Sequence, residues 1–141
     1  MQVRGTQSKK ILGYIDRACE YLGLYDVDAY IELEFVKRCD GNVAGYCHGD
    51  DYTIMIEVAR NDACGRVPQD LLMINIAHEL IHAKQIATGT LADDGFTKRK
   101  LPKWIWKGTP LQEVNYQDMP WEKEAYKLEN IVYDACKEDK K

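Results

Sequence analysis

The chain has 141 residues, of which 45% are hydrophobic and 30% charged, so it has the length of one domain and is not disordered or collagen-like. No apolar stretch approaches the ~20 residues of a membrane-spanning helix, and the first residues lack the apolar core of a secretory signal. The net charge of −4 argues against broad, charge-driven binding of nucleic acid. Five cysteines without C-x-x-C spacing predict reduced thiols, and we expect a cytoplasmic protein that does not engage a membrane.

The first half of the chain predicts one helix followed by a small sheet. Ser8 is a candidate N-cap, and Gly23 lies where a C-terminal cap belongs. Apolar residues recur between them at helical spacing: Ile11, Leu12, Ile15, Ala18, Cys19 and Leu22. Strands are predicted over 30–36, 43–48 and 52–58. The simplest arrangement is a meander of three strands, or four, behind the helix.

The second half predicts two further helices joined by a long connection. Pro68 suits the first turn of a helix that runs to about Ala87, and this helix is apolar nearly all round, which predicts that it is buried. The connection from Thr90 to Met119 carries no predicted element, and a loop of that length is often functional. Pro120 opens the last helix, which has an apolar stripe of Trp121, Ala125, Leu128, Val132 and Ala135. We therefore expect a single α+β domain over residues 1–141.

The run His78-Glu79-Leu80-Ile81-His82 carries the chemistry, because it matches H-E-x-x-H. Residues at i and i+4 share one helical face, so both imidazoles can reach a single metal ion. Glu79 can instead approach a water at the metal, which is the position of a general base in a zinc hydrolase. The alternative is that both histidines are satisfied core residues. The metal site is the favoured interpretation, since the two polar side chains interrupt an otherwise apolar helix.

A catalytic zinc site needs a third protein ligand. No histidine follows His82, so a site of three histidines would have to recruit His48. The longer pattern H-E-x-x-H-x-x-G-x-x-H fails, because Gln85 and Thr88 occupy its last two defined positions. A downstream carboxylate is the favoured ligand. Glu122 and Glu124 stand in the first turns of the last helix, where Ala125 allows a close approach to the His78 helix.

H-E-x-x-H followed by E-x-x-A on a later helix resembles the gluzincin-type zinc metallopeptidases, especially small single-domain phage and bacterial forms related to the SprT-like and ImmA/IrrE-like families. The similarity covers roughly residues 70 to 135 and includes Trp106-Lys107-Gly108 and the segment that begins at Pro120. It implies a zincin-like fold, bound Zn²⁺ and a cytoplasmic location in a bacterial or virus-infected cell. It also implies that Glu122, three residues before Ala125, is the third ligand.

The chain departs from this family in two respects. Tyr126 stands where many gluzincins have aspartate, and SprT-like enzymes use a histidine as third ligand. Glu124 and Asp93 therefore remain rival ligands, the latter after a Gly-Thr pair at residues 89–90.

The implied activity is hydrolysis of a peptide bond in a peptide or protein, with Glu79 as the base. Tyr116, a short loop before the last helix, is a candidate donor to the oxyanion, or simply a packing residue. The strand nearest the cleft would present its edge to an extended substrate. The alternative function is a non-catalytic, zinc-stabilised module that binds protein or DNA, which a site closed by a fourth ligand such as His48 or Asp93 would favour.

The connection between the last two helices interleaves aromatic and basic residues. Trp104 and Trp106 could stack on single-stranded nucleic acid or flank a peptide, or they could belong to the core with the lysines in solvent. A contact with nucleic acid, including proteolysis of DNA-bound proteins, stays open through the Lys98–Lys107 region despite the acidic balance. The basic residues there are Lys98, Arg99, Lys100, Lys103 and Lys107.

Overall fold

The computed structural model describes residues 1–5, 8–50, 52–96, 102–112 and 119–138, with side chains described throughout except at 93–96, 102, 103 and 112. The described residues form an α+β fold. Its helices are α1 (Lys9–Leu22), α2 (Gln69–Ala87) and α3 (Pro120–Cys136). Its strands are β1 (Gln2–Arg4), β2 (Tyr30–Val36), β3 (Gly45–Gly49), β4 (Thr53–Ala59), β5 (Asn61–Asp62), β6 (Gly65–Arg66), β7 (Leu91–Phe96), β8 (Pro102–Trp106) and β9 (Thr109–Gln112).

Local signals set the ends of α1 as the sequence predicts. The Ser8 side chain accepts a hydrogen bond from the Ile11 N–H, which satisfies one of the free donors of the first turn. Gly23 adopts φ 74° and its N–H bonds to the carbonyls of Cys19 and Glu20, so the chain leaves the helix through a left-handed residue.

The main sheet is not the expected meander. Its strand order is β1-β2-β4-β3, with β2 parallel to both β1 and β4 and with β3 antiparallel to β4 at the edge. The reason lies in burial. β2 and β4 each bury three alternate apolar side chains, whereas β3 contains two glycines and exposes three of its five residues, so it stabilises the core less. The buried residues are Ile31, Leu33 and Phe35 of β2 and Ile54, Ile56 and Val58 of β4.

The connection between α2 and α3 also differs from the prediction, because it contains a separate antiparallel sheet of order β7-β8-β9. Lys107 (φ 50°) and Gly108 (φ 82°) form the two-residue turn between β8 and β9, and positive φ at both positions suits a tight hairpin. Pro102 is the first residue of β8, and Pro110 lies in β9 at the edge, where a missing N–H is tolerated. The two prolines argue against strands when the sequence is read alone, but the hairpin places them where a strand tolerates proline.

α2 lies at the centre of the fold, as predicted. It contacts α1, α3 and the face of the main sheet, and its apolar side chains belong to the core. The Tyr14 hydroxyl of α1 donates to the Met73 carbonyl of α2 over 2.8 Å, and Arg17 Nε donates to the Cys136 carbonyl of α3 over 2.8 Å. All three helices are thereby joined by buried apolar contacts and long-range hydrogen bonds. Within the described part of the chain, no helix combines the length and apolarity needed to cross a bilayer.

Replacement of Leu33 by alanine tests the central position of β2. Leu33 is 0% exposed, so we expect Leu33→Ala to lower the free energy of unfolding by about 2–5 kcal/mol through lost burial and the cavity left behind. Leu12→Ala, at a side chain that is 39% exposed, is the matched control and should change it by less than about 0.5 kcal/mol. Denaturant titration measures both. Equal effects would contradict this core.

Candidate metal centre

α2 places the three polar side chains of the H-E-x-x-H motif in the interior. His78 and His82 lie one turn apart on one helical face, and their ring centroids are 4.7 Å apart. Each of His78, Glu79 and His82 is only 7% exposed, although the surrounding helix is apolar. Burying polar groups without hydrogen-bond partners costs free energy, so the residues around the two imidazoles must supply partners.

α3 supplies the partner. Pro120 begins this helix, and Glu122 lies in its first turn, where the helix dipole favours a carboxylate. Ala125, one turn later, is fully buried and leaves room for α3 to approach α2. Glu122 Oε1 lies 2.9 Å from His78 Nε2 and 2.9 Å from His82 Nε2, and the two nitrogens are 3.1 Å apart.

Two further side chains orient the imidazoles. Glu129 Oε2 lies 2.8 Å from His78 Nδ1, and Gln85 Oε1 lies 2.8 Å from His82 Nδ1. A carboxylate and an amide oxygen accept hydrogen bonds, so each neutral imidazole carries its proton on Nδ1. The lone pair of each Nε2 therefore points toward Glu122. Such outer partners are typical of metal-binding histidines.

Gln85 is itself held in place. Its Nε2 donates to the Trp121 carbonyl and to Glu124 Oε1, both over 3.1 Å. The amide thus cannot rotate without losing these bonds, and its oxygen stays directed at His82.

The arrangement brings three acceptor atoms to one point, and acceptors alone repel each other. A cation at the centre, either a metal ion or protons on the imidazoles, removes that repulsion. Ligand atoms about 2.0–2.1 Å from a tetrahedral zinc lie about 3.3 Å apart, close to the 2.9–3.1 Å found here. The buried group of His78, His82 and Glu122 could hold a metal ion, and two nitrogens with one oxygen suit Zn²⁺ among others.

The electrostatics of the centre follow from burial and mutual charge. Burial raises the pKa of Glu79 to about 7, against the lowering influence of the two histidines. Burial by itself lowers the pKa of His78 and of His82, but the hydrogen bond to Glu122 and the charge of Glu79 outweigh it, so both pKa values are raised. Among the described residues, Glu79 has no hydrogen-bond partner, so its carboxylate is open to a proton from a bound molecule.

The edge strand β3 packs closely against the Glu79 side chain. A Cβ at Gly45 would lie 3.0 Å from Glu79 Cγ and 2.8 Å from the Glu57 carbonyl oxygen, so only glycine allows this approach. The Ala44 carbonyl accepts from Ala59 N–H. In an antiparallel pair of strands, the backbone N–H and C=O groups of every second residue point away from the partner strand. The backbone N–H and C=O groups of Gly45, Cys47 and Gly49 therefore point away from β4.

Two cavities flank the three residues His78, His82 and Glu122, which we call the metal group. The first, called the Trp cavity, has a volume of about 250 Å³ and adjoins His82 and Glu122. Its apolar wall consists of Cys47, Ile86, Leu91, Trp104, Met119 and Trp121. The second, called the Glu79 cavity, has a volume of about 440 Å³ and adjoins His78 and Glu79. It is lined further by Val43, Gly45, Ile74, Asn75, Tyr126 and Glu129.

Two other residues that the sequence suggested as ligands, Glu124 and His48, are not in the group. Glu124 hydrogen-bonds Gln85 instead of the histidines, and His48 lies on β3 at the rim of the Trp cavity. The Asp93 side chain and Tyr116 lie outside the described residues. Sequence reasoning did not identify Glu129 or the orienting role of Gln85. The spacing of Glu129, seven residues after Glu122 on one helix face, is the signal that could have found it.

The aromatic residues of β8 pack internally. The rings of Trp104 and Trp106 lie 5.4 Å and 6.1 Å from the ring of Trp121, and Lys107 Nζ lies 5.4 Å from the Trp106 centroid. The indole N–H of Trp104 is buried without a hydrogen-bond partner among the described residues. Both tryptophan side chains are half-buried, so the structure places neither of them in the buried core nor fully in solvent. Residues 98–100 and the Lys103 side chain lie outside the described part, so binding of nucleic acid there stays a prediction.

Comparison with known proteins returns no matching family model, no significantly similar curated protein and no significantly similar solved structure.

Glu122→Ala and Glu124→Ala form a matched pair on one helix turn. We expect Glu122→Ala to weaken metal binding by more than about a hundredfold, because it removes an atom 2.9 Å from both imidazoles. Glu124→Ala removes only a hydrogen bond to Gln85 and should retain near wild-type binding. Titration calorimetry with Zn²⁺ and elemental analysis give the affinities. Equal binding by both variants would exclude Glu122 as a ligand.

Glu129→Gln tests the orienting partner of His78. The amide keeps the shape of the side chain but weakens the bond that holds the imidazole, so metal affinity should fall by about 10- to 100-fold. Asp134→Asn, at an exposed side chain later on α3, serves as the control and should bind like the wild type. Unchanged affinity in Glu129→Gln would show that the 2.8 Å contact does not support the site.

Proposed function

We propose that the protein is a zinc-dependent metallopeptidase with a zincin-like fold, in which His78, His82 and Glu122 hold the metal and Glu79 is the general base. The observation that carries this proposal is the convergence of both motif imidazoles on one Glu122 oxygen. Next to His78, the carboxylate of Glu79 is buried and has no hydrogen-bond partner among the described residues. The resemblance of the sequence to gluzincin-type peptidases supports the same assignment.

A bound Zn²⁺ would supply Lewis-acid polarisation of a carbonyl and acidification of water. Glu79 takes a proton from the attacking water as its oxygen bonds to the carbonyl carbon. Glu79 then returns that proton to the amide nitrogen as the C–N bond breaks, which leaves a carboxylic acid and an amine. The pKa of Glu79, raised by burial to about 7, suits a group that both accepts and releases a proton near neutral pH.

The histidine partners support this chemistry by holding geometry. Glu129 and Gln85 keep both Nε2 lone pairs directed at the metal position, so the ligands need no reorganisation when the ion binds. Tyr116 remains a candidate donor to the oxyanion on the sequence argument alone.

The outward edge of β3 supports a peptide as substrate. Its outward backbone groups at Gly45, Cys47 and Gly49, which have no strand partner in the described part of the chain, are spaced to pair with an extended chain, and the strand borders both cavities. An extended peptide along this edge would pass the metal position. The metal group has three protein ligands among the described residues, and open cavities lie on both sides, which favours a catalytic site over a closed structural one.

Glu79→Gln separates catalysis from metal binding. The amide occupies nearly the same volume but cannot take up the proton, so hydrolysis should fall by at least about a hundredfold while Zn²⁺ stays bound. Mass spectrometry of a peptide library measures cleavage, and elemental analysis measures zinc. As the control, wild type stripped by a chelator should lose activity and regain it with Zn²⁺. Full activity in Glu79→Gln would remove the general base from this mechanism.

A further inference from the structure

The Trp cavity is an apolar recess beside the metal group. Its six apolar lining residues come from β3, α2, β7, β8 and the start of α3, so it is built by the tertiary fold and not by one loop. Among the described residues that line it, the one carboxylate is Glu122, which is engaged with both imidazoles. At about 250 Å³ it lies below the ~300–1,000 Å³ of pockets for drug-sized ligands, so it suits one side chain.

The position of Glu79 determines which half of a substrate meets this cavity. The base must return its proton to the leaving amine, so the amine half lies on the side of Glu79. Glu79 lines the other cavity with His78, whereas His82 and Glu122 line the Trp cavity. The acyl half of the substrate consequently extends toward the Trp cavity.

The edge strand is compatible with this orientation. Gly45, the first residue of β3, borders the Glu79 cavity, and Cys47 and Gly49 border the Trp cavity. A chain whose acyl half lies at Gly49 and whose amine half lies at Gly45 runs antiparallel to β3. Antiparallel pairing gives straight hydrogen bonds to the outward groups of the strand.

We infer that the Trp cavity selects a large apolar or aromatic side chain on the residue that contributes the cleaved carbonyl. This inference rests on the proposed peptidase function. Trp104 and Trp121, whose rings are 5.4 Å apart, form the aromatic part of the cavity wall. Trp104 is the specificity-determining residue, since its half-buried ring lines the cavity from β8.

The first test compares peptides that differ only in that residue, with phenylalanine, glycine or aspartate. Burial of a large apolar side chain should raise kcat/KM by about tenfold or more over the glycine peptide, and the aspartate peptide should be cleaved more slowly still. In Trp104→Ala the ratio of the phenylalanine to the glycine peptide should fall by about tenfold. A ratio from one preparation does not depend on the folded fraction.

Trp106→Ala is the matched control. Trp106 also lies in β8, is also half-buried and packs on Trp121, but it does not line the cavity, so the ratio should stay at the wild-type value. If Trp104→Ala fails to fold, Ile86→Ala removes part of the wall from α2 and should lower the same ratio.

The second test measures binding without catalysis. N-acetyl-L-phenylalanine mimics the acyl product, and it should bind the zinc-loaded protein about tenfold or more tightly than N-acetylglycine. Two of the chain's three tryptophans line the cavity, so tryptophan fluorescence reports the binding. Trp104→Ala should lose the difference between the two ligands, and Trp106→Ala should keep it.

Three outcomes are possible, and each decides the matter. A preference for phenylalanine that Trp104→Ala loses supports the inference. A preference that Trp104→Ala retains, cleavage without that preference, or selection only on the amine side of the bond overturns the inference and leaves the peptidase function standing. No cleavage of any library peptide by zinc-loaded wild type overturns both.

Discussion

The two motif imidazoles of α2 each lie 2.9 Å from one Glu122 oxygen of α3, in the interior of the fold. All three atoms are acceptors in this arrangement, because Glu129 and Gln85 hold the imidazole protons on the opposite nitrogens. Buried acceptors that face each other destabilise a fold unless a cation lies among them. A positive charge at this point, from a bound divalent metal or from protonated imidazoles, would remove this repulsion between α2 and α3.

The same constraint explains the sequence around the site. α3 must bring a carboxylate close to α2, which requires a short side chain at Ala125 and a rigid first turn, begun by Pro120. On the other side, β3 approaches Glu79 closely, which requires glycine at position 45. An unpaired strand edge is usually a liability. No strand in the described part of the chain pairs with the outer edge of β3, which is short and borders both cavities, so its outward backbone groups lie where an extended chain could pair with them.

The helices could be predicted from the sequence because their signals are local. Ser8, Gly23, Pro68 and Pro120 mark ends, and apolar periodicity marks the buried faces. The order of the strands in the main sheet could not be predicted from the sequence. Whether β2 pairs with β4 or with β3 depends on which strands bury more apolar surface. The sheet of β7, β8 and β9 was not predicted, because prolines at 102 and 110 argue against strands. A strand tolerates proline only at its first residue or at the edge of a sheet, which is where these two lie.

The sequence by itself determined the relative placement of His78, Glu79 and His82, since residues at i, i+1 and i+4 of a helix have fixed relative positions wherever the helix lies. It also narrowed the third ligand to a few carboxylates. Only the tertiary structure brought Glu122 to both histidines and directed Glu124 to Gln85, because that choice depends on how α3 rotates against α2. The roles of Glu129 and Gln85 and the two cavities were likewise decided by packing, since each joins segments that are distant in sequence.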